Sequence, residues 1–468
     1  MLEKDIDTAN RRLAKSSYDL LRDKNGLSLR PYQIEAIEKT EAAIVAGRQT
    51  VLLSMAPGTG RTRTMLGIIH RFLKSGRFKR VMLLVEHSVL DKQALDSFRK
   101  TKIEDHMRFG EVYNIKEFDE KDMETKVHVA TVKSLVESII YNDSEAMPSV
   151  TDYDLIIVDE ANLGQSGDYI SDYHLALEYF DAVKIALTAT PTLETTEIFG
   201  SPIFEYTYYR AVTEGYLAGH DTPHDIGIKL PIENIAIPKE AVNGWELGDE
   251  RPIDVESFNR LAVDESFSRA VLKEITRVID PEGSGKTLIY AVDDDHANFI
   301  VKILKENYEL KGITNRAIMK ISCSDDNGEP QQATQAVKRF KHEKYPNIAV
   351  TADLLAAGSG VPEITTLVFM CRVKSRVLFE KMLGRAALLC PEIGKTLFEI
   401  YDPVGVYESF RAISSTSPVT RNQSVTLDIS SIDKVVAQLE EAADLMMSVV
   451  KELRYRMVGD NGKSNFRD

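Results

Sequence analysis

Cysteine is scarce in this chain: Cys323, Cys371 and Cys390 are the three among 468 residues. They are scattered, odd in number and without a Cys-x-x-Cys, which excludes a disulfide framework and argues against a zinc site. A reducing cytoplasm is the expected setting. No apolar run approaches the ~18 residues that a membrane span requires, so no membrane partner is expected. The opening Met1-Leu-Glu-Lys-Asp-Ile-Asp7 has neither a basic nor an apolar leader region, and no secretory signal is expected. An excess of positive charge is also missing. Lys plus Arg number 58 against 72 Asp plus Glu, a net charge of −14. A field of that sign does not attract nucleic acid, so DNA binding would require local basic stripes. Two candidates exist, Arg71, Lys74, Arg77, Lys79 and Arg80, and later Arg372, Lys374 and Arg376. The nine histidines show no metal spacing on a helix; His220 and His224 are separated by Pro223.

What remains is ordinary globular composition, 43% hydrophobic and 28% charged. At ~150 residues per domain the length suggests about three domains, or two large ones. Residues 1–27 read as a helical extension. From 28 to 200, short β-branched strands alternate with helical patterns: Thr50–Met55, Arg80–Val85, Val127–Ala130, Leu155–Val158 and Val183–Leu187. Most are apolar throughout, as strands buried on both faces are, and the alternation predicts an α/β fold with a doubly wound parallel sheet. Residues 201–265 carry five prolines and little periodicity and read as connector and insertion. A second α/β block follows over 266–415, with strands expected at Thr287–Ala291, Ile348–Thr351, Thr366–Met370 and Leu397–Tyr401. Residues 416–468 carry an apolar stripe at helical spacing and read as a C-terminal helical tail that docks on its parent domain.

The chemistry concentrates at three strand ends. Thr50–Met55 runs into Ala56-Pro-Gly-Thr-Gly-Arg-Thr62 and then into a helical pattern, the strand, glycine turn and helix of a phosphate loop. Glycines let backbone N–H groups curl around phosphate oxygens, and the helix N-terminus adds positive potential. Thr62 stands where a hydroxyl would ligate Mg²⁺. Arg61 stands where such loops carry Lys; the charge is kept, but a planar fork replaces a compact point charge. Leu155–Val158 ends in Asp159-Glu160, one acid placed to hold Mg²⁺ and the other to orient water. Lys184-Ile-Ala-Leu-Thr-Ala-Thr-Pro191 ends in small hydroxyl residues. Gly283-Ser-Gly-Lys-Thr287 imitates the end of a phosphate loop, but a strand follows it, and it reads as a turn.

These segments, in this order, resemble a superfamily 2 helicase motor, and Leu29-Arg-Pro-Tyr-Gln33 resembles its adenine-recognition motif. The motor, or R subunit, of type I restriction enzymes is the closer likeness. Phe180 to Pro191, Glu197-Ile-Phe-Gly200, Val361-Pro-Glu-Ile364, Arg372-Val-Lys-Ser-Arg376 and Met382-Leu-Gly-Arg385 with Leu389 to Gly394 carry it. The resemblance implies two RecA-like lobes with ATP and Mg²⁺ between them and double-stranded DNA across both. It assigns Arg30 and Gln33 to adenine; Gly58, Thr59, Gly60, Arg61 and Thr62 to phosphate and Mg²⁺; Asp159 and Glu160 to metal and water; and Arg385 to ATP from the second lobe. It puts Thr131, Ser134 and Thr351 near the DNA backbone. Implied partners are methyltransferase or specificity subunits, or a separate nuclease chain.

Departures from the family pattern cluster on nucleotide-facing positions. Besides Arg61, they are Asn162 for the His of the Asp-Glu-Ala-His box, Gly360 for an acid, Lys381 for a Gln, and Leu388 for the last Arg, the expected arginine finger. Only about 27 residues precede Leu29, and no nuclease activity is expected. Two readings stay open, an ATP-dependent DNA translocase with impaired hydrolysis and a pseudo-motor serving as a nucleotide- or DNA-dependent scaffold. A third, a helicase of a repair system, fits the local matches around Arg372 less well.

Overall fold

The computed structural model describes residues 3–85, 98–104, 106–118, 124–140, 148–159, 167–228, 259, 262–313, 315–322, 330–352, 360–411 and 414–419. Fifteen strands run through these residues. The first lobe holds β1 (Thr50–Met55), β2 (Val81–Val85), a small antiparallel pair β3 (Lys102–Glu104) and β4 (Met107–Arg108), β5 (Ile115–Glu117) and β6 (Val127–Thr131). It continues with β7 (Leu155–Asp159), β8 (Val183–Thr188) and β9 (Phe204–Tyr206). The second holds β10 (Gly219–His220), β11 (Lys286–Tyr290), β12 (Ile318–Ile321), β13 (Ile348–Thr351), β14 (Ile364–Phe369) and β15 (Leu397–Tyr401).

The first sheet has the order β5-β6-β2-β7-β8-β1-β9 and the second β10-β15-β14-β11-β13-β12, and all their pairings are parallel. Each central strand therefore has helices on both faces, and its residues divide between two cores with period two. Val81, Leu83 and Val85 join the core beneath the helices Pro31–Val45 and Arg61–Ser75, built on Ile34, Ile37, Met65, Ile69 and Phe72. Met82 and Leu84 face the other way, toward Leu135, Tyr173 and Leu177. In the second lobe Asp264 and Asp293 cap the helices Glu265–Val278 and Asp294–Glu309, accepting from the first-turn N–H groups of Phe267 and His296 at 3.1 and 2.7 Å.

The expected α/β fold with parallel sheets is what forms, in two lobes. Within 201–265, expected as connector, Phe204–Tyr206 adds an edge strand to β1 and Gly219–His220 adds one to β15. The expected tail lies outside the described residues beyond Val419. At the N-terminus, helices Glu3–Lys15 and Asp19–Arg22 send Leu13, Leu21 and Leu27 into the first lobe's core. No helix among the described residues is long and apolar enough to cross a membrane, and none of their His, Cys, Asp and Glu residues form a metal-binding group.

Where the chain passes between lobes, His220 is fully buried. Its Nδ1 lies 2.9 Å from the Tyr208 hydroxyl and its Nε2 2.9 Å from that of Tyr407. Burial pushes this imidazole down to about 4. The ring is thus neutral in the fold, whereas the unfolded chain takes up its proton near pH 6.5. This contribution to stability is complete above pH 6.5 and is lost as the pH falls toward 4. The variant His220→Phe, which cannot titrate, should unfold with a pH slope lower by about 1.4 kcal/mol per unit between pH 6 and 4.5. Urea denaturation across that window measures it; equal slopes in parent and variant would mean that the ring is charged in the fold.

Candidate nucleotide-binding site

The order β7-β8-β1 brings three chemically marked strand ends to one edge. Asp159, at the end of β7, stands opposite Leu187, and Thr188 stands opposite Ser54, one residue before the end of β1. Carboxyl ends of parallel strands are where such sheets take ligands. The turn after β1 needs Gly58 and Gly60 at φ +81° and +82°, a region open to glycine without strain. Gly60 then caps the helix Arg61–Ser75, whose axis points its N-terminus at the turn.

The loop is braced from behind. Tyr32 donates its hydroxyl to the Thr59 carbonyl at 2.8 Å, and Gln33 Nε2 donates to the carbonyls of Thr59 and Gly60, both at 3.1 Å. A Cβ on Gly60 would stand 2.5 Å from that amide nitrogen. Thr59 is buried, its hydroxyl given to the Ala56 carbonyl at 2.6 Å. Thr62 lies exposed in the first helical turn. Arg61 turns toward the strand ends: Nη1 donates to the Met55 carbonyl at 3.4 Å, and Nε lies 4.0 Å from Asp159 Oδ1. The positive group of the loop and the acid of β7 are thus drawn together. Glu160, Asn162 and residues 353–359 lie outside the described residues.

The second lobe reaches the same loop. A Cβ on Gly58 would meet Leu217 at 3.1 Å and Leu388 at 3.3 Å, and one on Gly384 would stand 2.5 Å from Pro57 Cβ. The backbone joins in, Ala218 N–H donating to Ala387 O at 2.8 Å. Arg376 Nη2 donates to the Pro191 carbonyl at 3.2 Å, tying the second lobe to the loop after β8. Position 388 therefore faces the phosphate loop and presents a methyl group there. Arg385 follows the helix Arg376–Gly384 as its C-cap, with its charge near the buried Tyr290 phenol, whose proton affinity burial raises.

Other expected residues are placed differently. Thr351 is fully buried at the end of β13, so its hydroxyl does not reach a surface. Thr131 and Ser134 pair with each other at 3.0 Å and cap the helix Val132–Ile140. The first basic stripe is only in part a solvated face, Lys74 and Lys79 being its exposed members. Arg71 is 4% exposed, Lys74 is held by Glu104 at 2.6 Å, and Arg80 lies over Tyr153 at 5.2 Å. In the second, Arg372 Nε donates to the Val404 carbonyl at 2.5 Å, and burial brings its guanidinium down to about 10. Gly283 to Gly285 is a turn into β11, with Lys286 Nζ given to the carbonyls of Glu343 and Pro346 at 2.9 and 3.0 Å. Tyr216 and Leu217 lie beside the loop without any motif that marks them.

Residues 26–193 match the family model of the type III restriction enzyme res subunit. Over 431 residues the chain is 41% identical to the type I restriction enzyme EcoKI endonuclease subunit of Escherichia coli, covering 86% of this chain and 36% of that one. It is 30% identical over 396 residues to the EcoAI endonuclease subunit, also of Escherichia coli, covering 82% and 47%. The chain thus spans between a third and a half of the length of these relatives. A solved fragment assigned as the HsdR subunit of a type I restriction enzyme from Vibrio vulnificus superposes with a TM-score of 0.63 at 19% identity, covering 90% of this chain and 70% of that one. The last match speaks for the fold alone. The identity to the EcoKI subunit extends past residue 193 into the second lobe, so over both lobes this chain is type I restriction R-subunit-like in sequence.

Proposed function

We propose that this chain is an ATP-binding, double-stranded DNA translocase module of the type I restriction R-subunit lineage, acting in the cytoplasm, in which nucleotide binding is kept and hydrolysis is impaired. The observation that carries the reading is the facing of Leu388 onto Gly58. The second lobe meets the phosphate loop there, with an alkyl group at the position where the resemblance expects a guanidinium.

The donor set fits both ATP and Mg²⁺. Gly58 and Gly60 open backbone N–H groups at a helix N-terminus, which suits phosphate. The hydroxyl of Thr62 and the carboxylate of Asp159 are hard oxygen donors of the kind Mg²⁺ takes, usually with retained waters. When bound, the metal would neutralise charge on the β- and γ-phosphates. Arg61 would move its guanidinium from Asp159 toward phosphate, and Glu160 would orient the attacking water. Arg385 would approach from the second lobe. Removing transition-state charge stabilisation at an arginine-finger position costs about 10³–10⁵ in rate in phosphoryl-transfer systems, which outweighs the retained acids. Thr131 and Ser134, at a helix N-terminus, remain proposed contacts to the DNA backbone. Methyltransferase or specificity subunits, or a separate nuclease chain, are the proposed partners.

The second reading, a pseudo-motor that holds a conformation, is favoured by the same Leu388 together with the Arg61–Asp159 pair. Calorimetric binding of ATP with Mg²⁺, and ATP turnover with and without linear duplex DNA, separate the two. Binding with slow, DNA-stimulated turnover is expected. Binding with no turnover on any DNA would leave the scaffold.

A further inference from the structure

Gln33 occupies the position that resemblance gives to adenine, yet its amide is spent on the protein. Oε1 accepts from the Arg30 N–H at 2.8 Å, and Nε2 donates to the Thr59 and Gly60 carbonyls at 3.1 Å each. A backbone N–H can meet only the oxygen, and two carbonyls can meet only the nitrogen, so the amide orientation is forced. Both Nε2 protons are used, and the residue is 2% exposed. It has no donor left with which to read a base edge.

Beside it stands a stack of flat groups. The guanidinium of the exposed Arg30 lies 4.9 Å over the ring of Tyr216, with Nη1 3.1 Å from the Tyr32 hydroxyl and 3.5 Å from the Tyr216 carbonyl. Tyr216 meets Tyr32 edge-on at 5.1 Å, and Tyr32 stacks on Tyr206 at 3.8 Å. The next residue, Leu217, touches the phosphate loop at Gly58. A planar cation and an aromatic ring thus lie one residue from the phosphate site. Such groups hold a base by its face, and every base has one.

We infer that the nucleotide base is held by stacking on the outer face of the Arg30 guanidinium, which the Tyr216 ring backs, with its edge unread, so that the site takes purine nucleoside triphosphates with little discrimination between adenine and guanine. Tyr216 is on this view a positioning residue, supplied by the segment that joins the lobes, that holds the guanidinium flat. The inference rests on the proposal that the chain binds nucleotide.

The test is titration with mant-ATP and mant-GTP, whose fluorophore sits on the ribose and leaves the base free. Dissociation constants within about tenfold of each other are expected. Tyr216→Ala should weaken both by about tenfold, and Tyr216→Phe, which keeps the ring, should restore them. Gln33→Ala should shift both together through the phosphate loop and leave their ratio unchanged. Sites that hydrogen-bond a distinguishing group reject its absence by about 10⁴-fold. A preference for mant-ATP above about tenfold, or affinities untouched by Tyr216→Ala, overturns the inference while nucleotide binding stands. Binding of neither nucleotide by chain with an intact unfolding transition overturns both.

Discussion

The double substitution Leu388→Arg and Arg61→Lys is expected to raise DNA-stimulated ATP turnover by about 10³-fold or more over the parent chain. Leu388 is close enough to the phosphate loop that a Cβ on Gly58 would meet it at 3.3 Å. On the proposed function, a guanidinium carried at that position would lie near the charge that develops during phosphoryl transfer. Lysine at 61 returns a point charge that reaches between phosphates, where the forked arginine is drawn instead to Asp159 at 4.0 Å. Steady-state turnover of parent, single and double variants, at saturating duplex DNA, measures the gain. Leu388→Arg alone should give most of it, since arginine at 61 keeps the charge. A double variant as slow as its parent would move the defect to Asn162, Gly360 and Lys381.

The second large effect is on stability. Arg71→Met is expected to cost about 3–5 kcal/mol of unfolding free energy. Arg71 bonds both carboxylate oxygens of Glu41 and the main-chain carbonyls of Leu13, Ser16 and Ser17, the last three at 3.2 Å. Its guanidinium lies 3.9 Å over Tyr18, which donates its hydroxyl to Glu41 at 2.6 Å. Glu41 and Arg71 are 6% and 4% exposed, so removing one leaves an ion stranded in the interior. The pair also ties the N-terminal helices to the helix that carries the phosphate loop. Equilibrium urea denaturation tests this. The double variant Arg71→Met with Glu41→Met should lose less than Arg71→Met alone, because no charge is left stranded. A double variant less stable than that single one would mean that the carbonyl contacts, and not the ion pair, dominate.

The central strands were legible because burial on both faces demands runs such as Val81-Met-Leu-Leu-Val85, and few other structures tolerate them. Phosphate-loop glycines were legible for a similar reason, since the turn after β1 admits little else. Edge strands β5, β9, β10 and β12 were not, for their two to four residues form no periodic pattern. Arg71 misled because a side chain satisfied by main-chain carbonyls and one bathed in solvent read alike along the chain. Thr351 and Gln33 show the same limit, since a motif records which residue is present and not which of its atoms are already engaged. Tyr216 and Leu217 have no motif at all; they matter only because β9 and β10 belong to different sheets and the segment between them must pass the phosphate loop.

That segment, residues 207–218, is twelve residues long, and six of them form the helix Tyr208–Thr213. At about 3.5 Å per extended residue and 1.5 Å per helical one, it reaches roughly 30 Å at most. A tether of that length holds its two ends at an effective concentration in the millimolar range. Closure of Leu388 onto Gly58 is therefore a first-order event whose frequency is independent of how dilute the protein is. A chain severed between Glu214 and Tyr216 would have to make the same contacts by bimolecular collision.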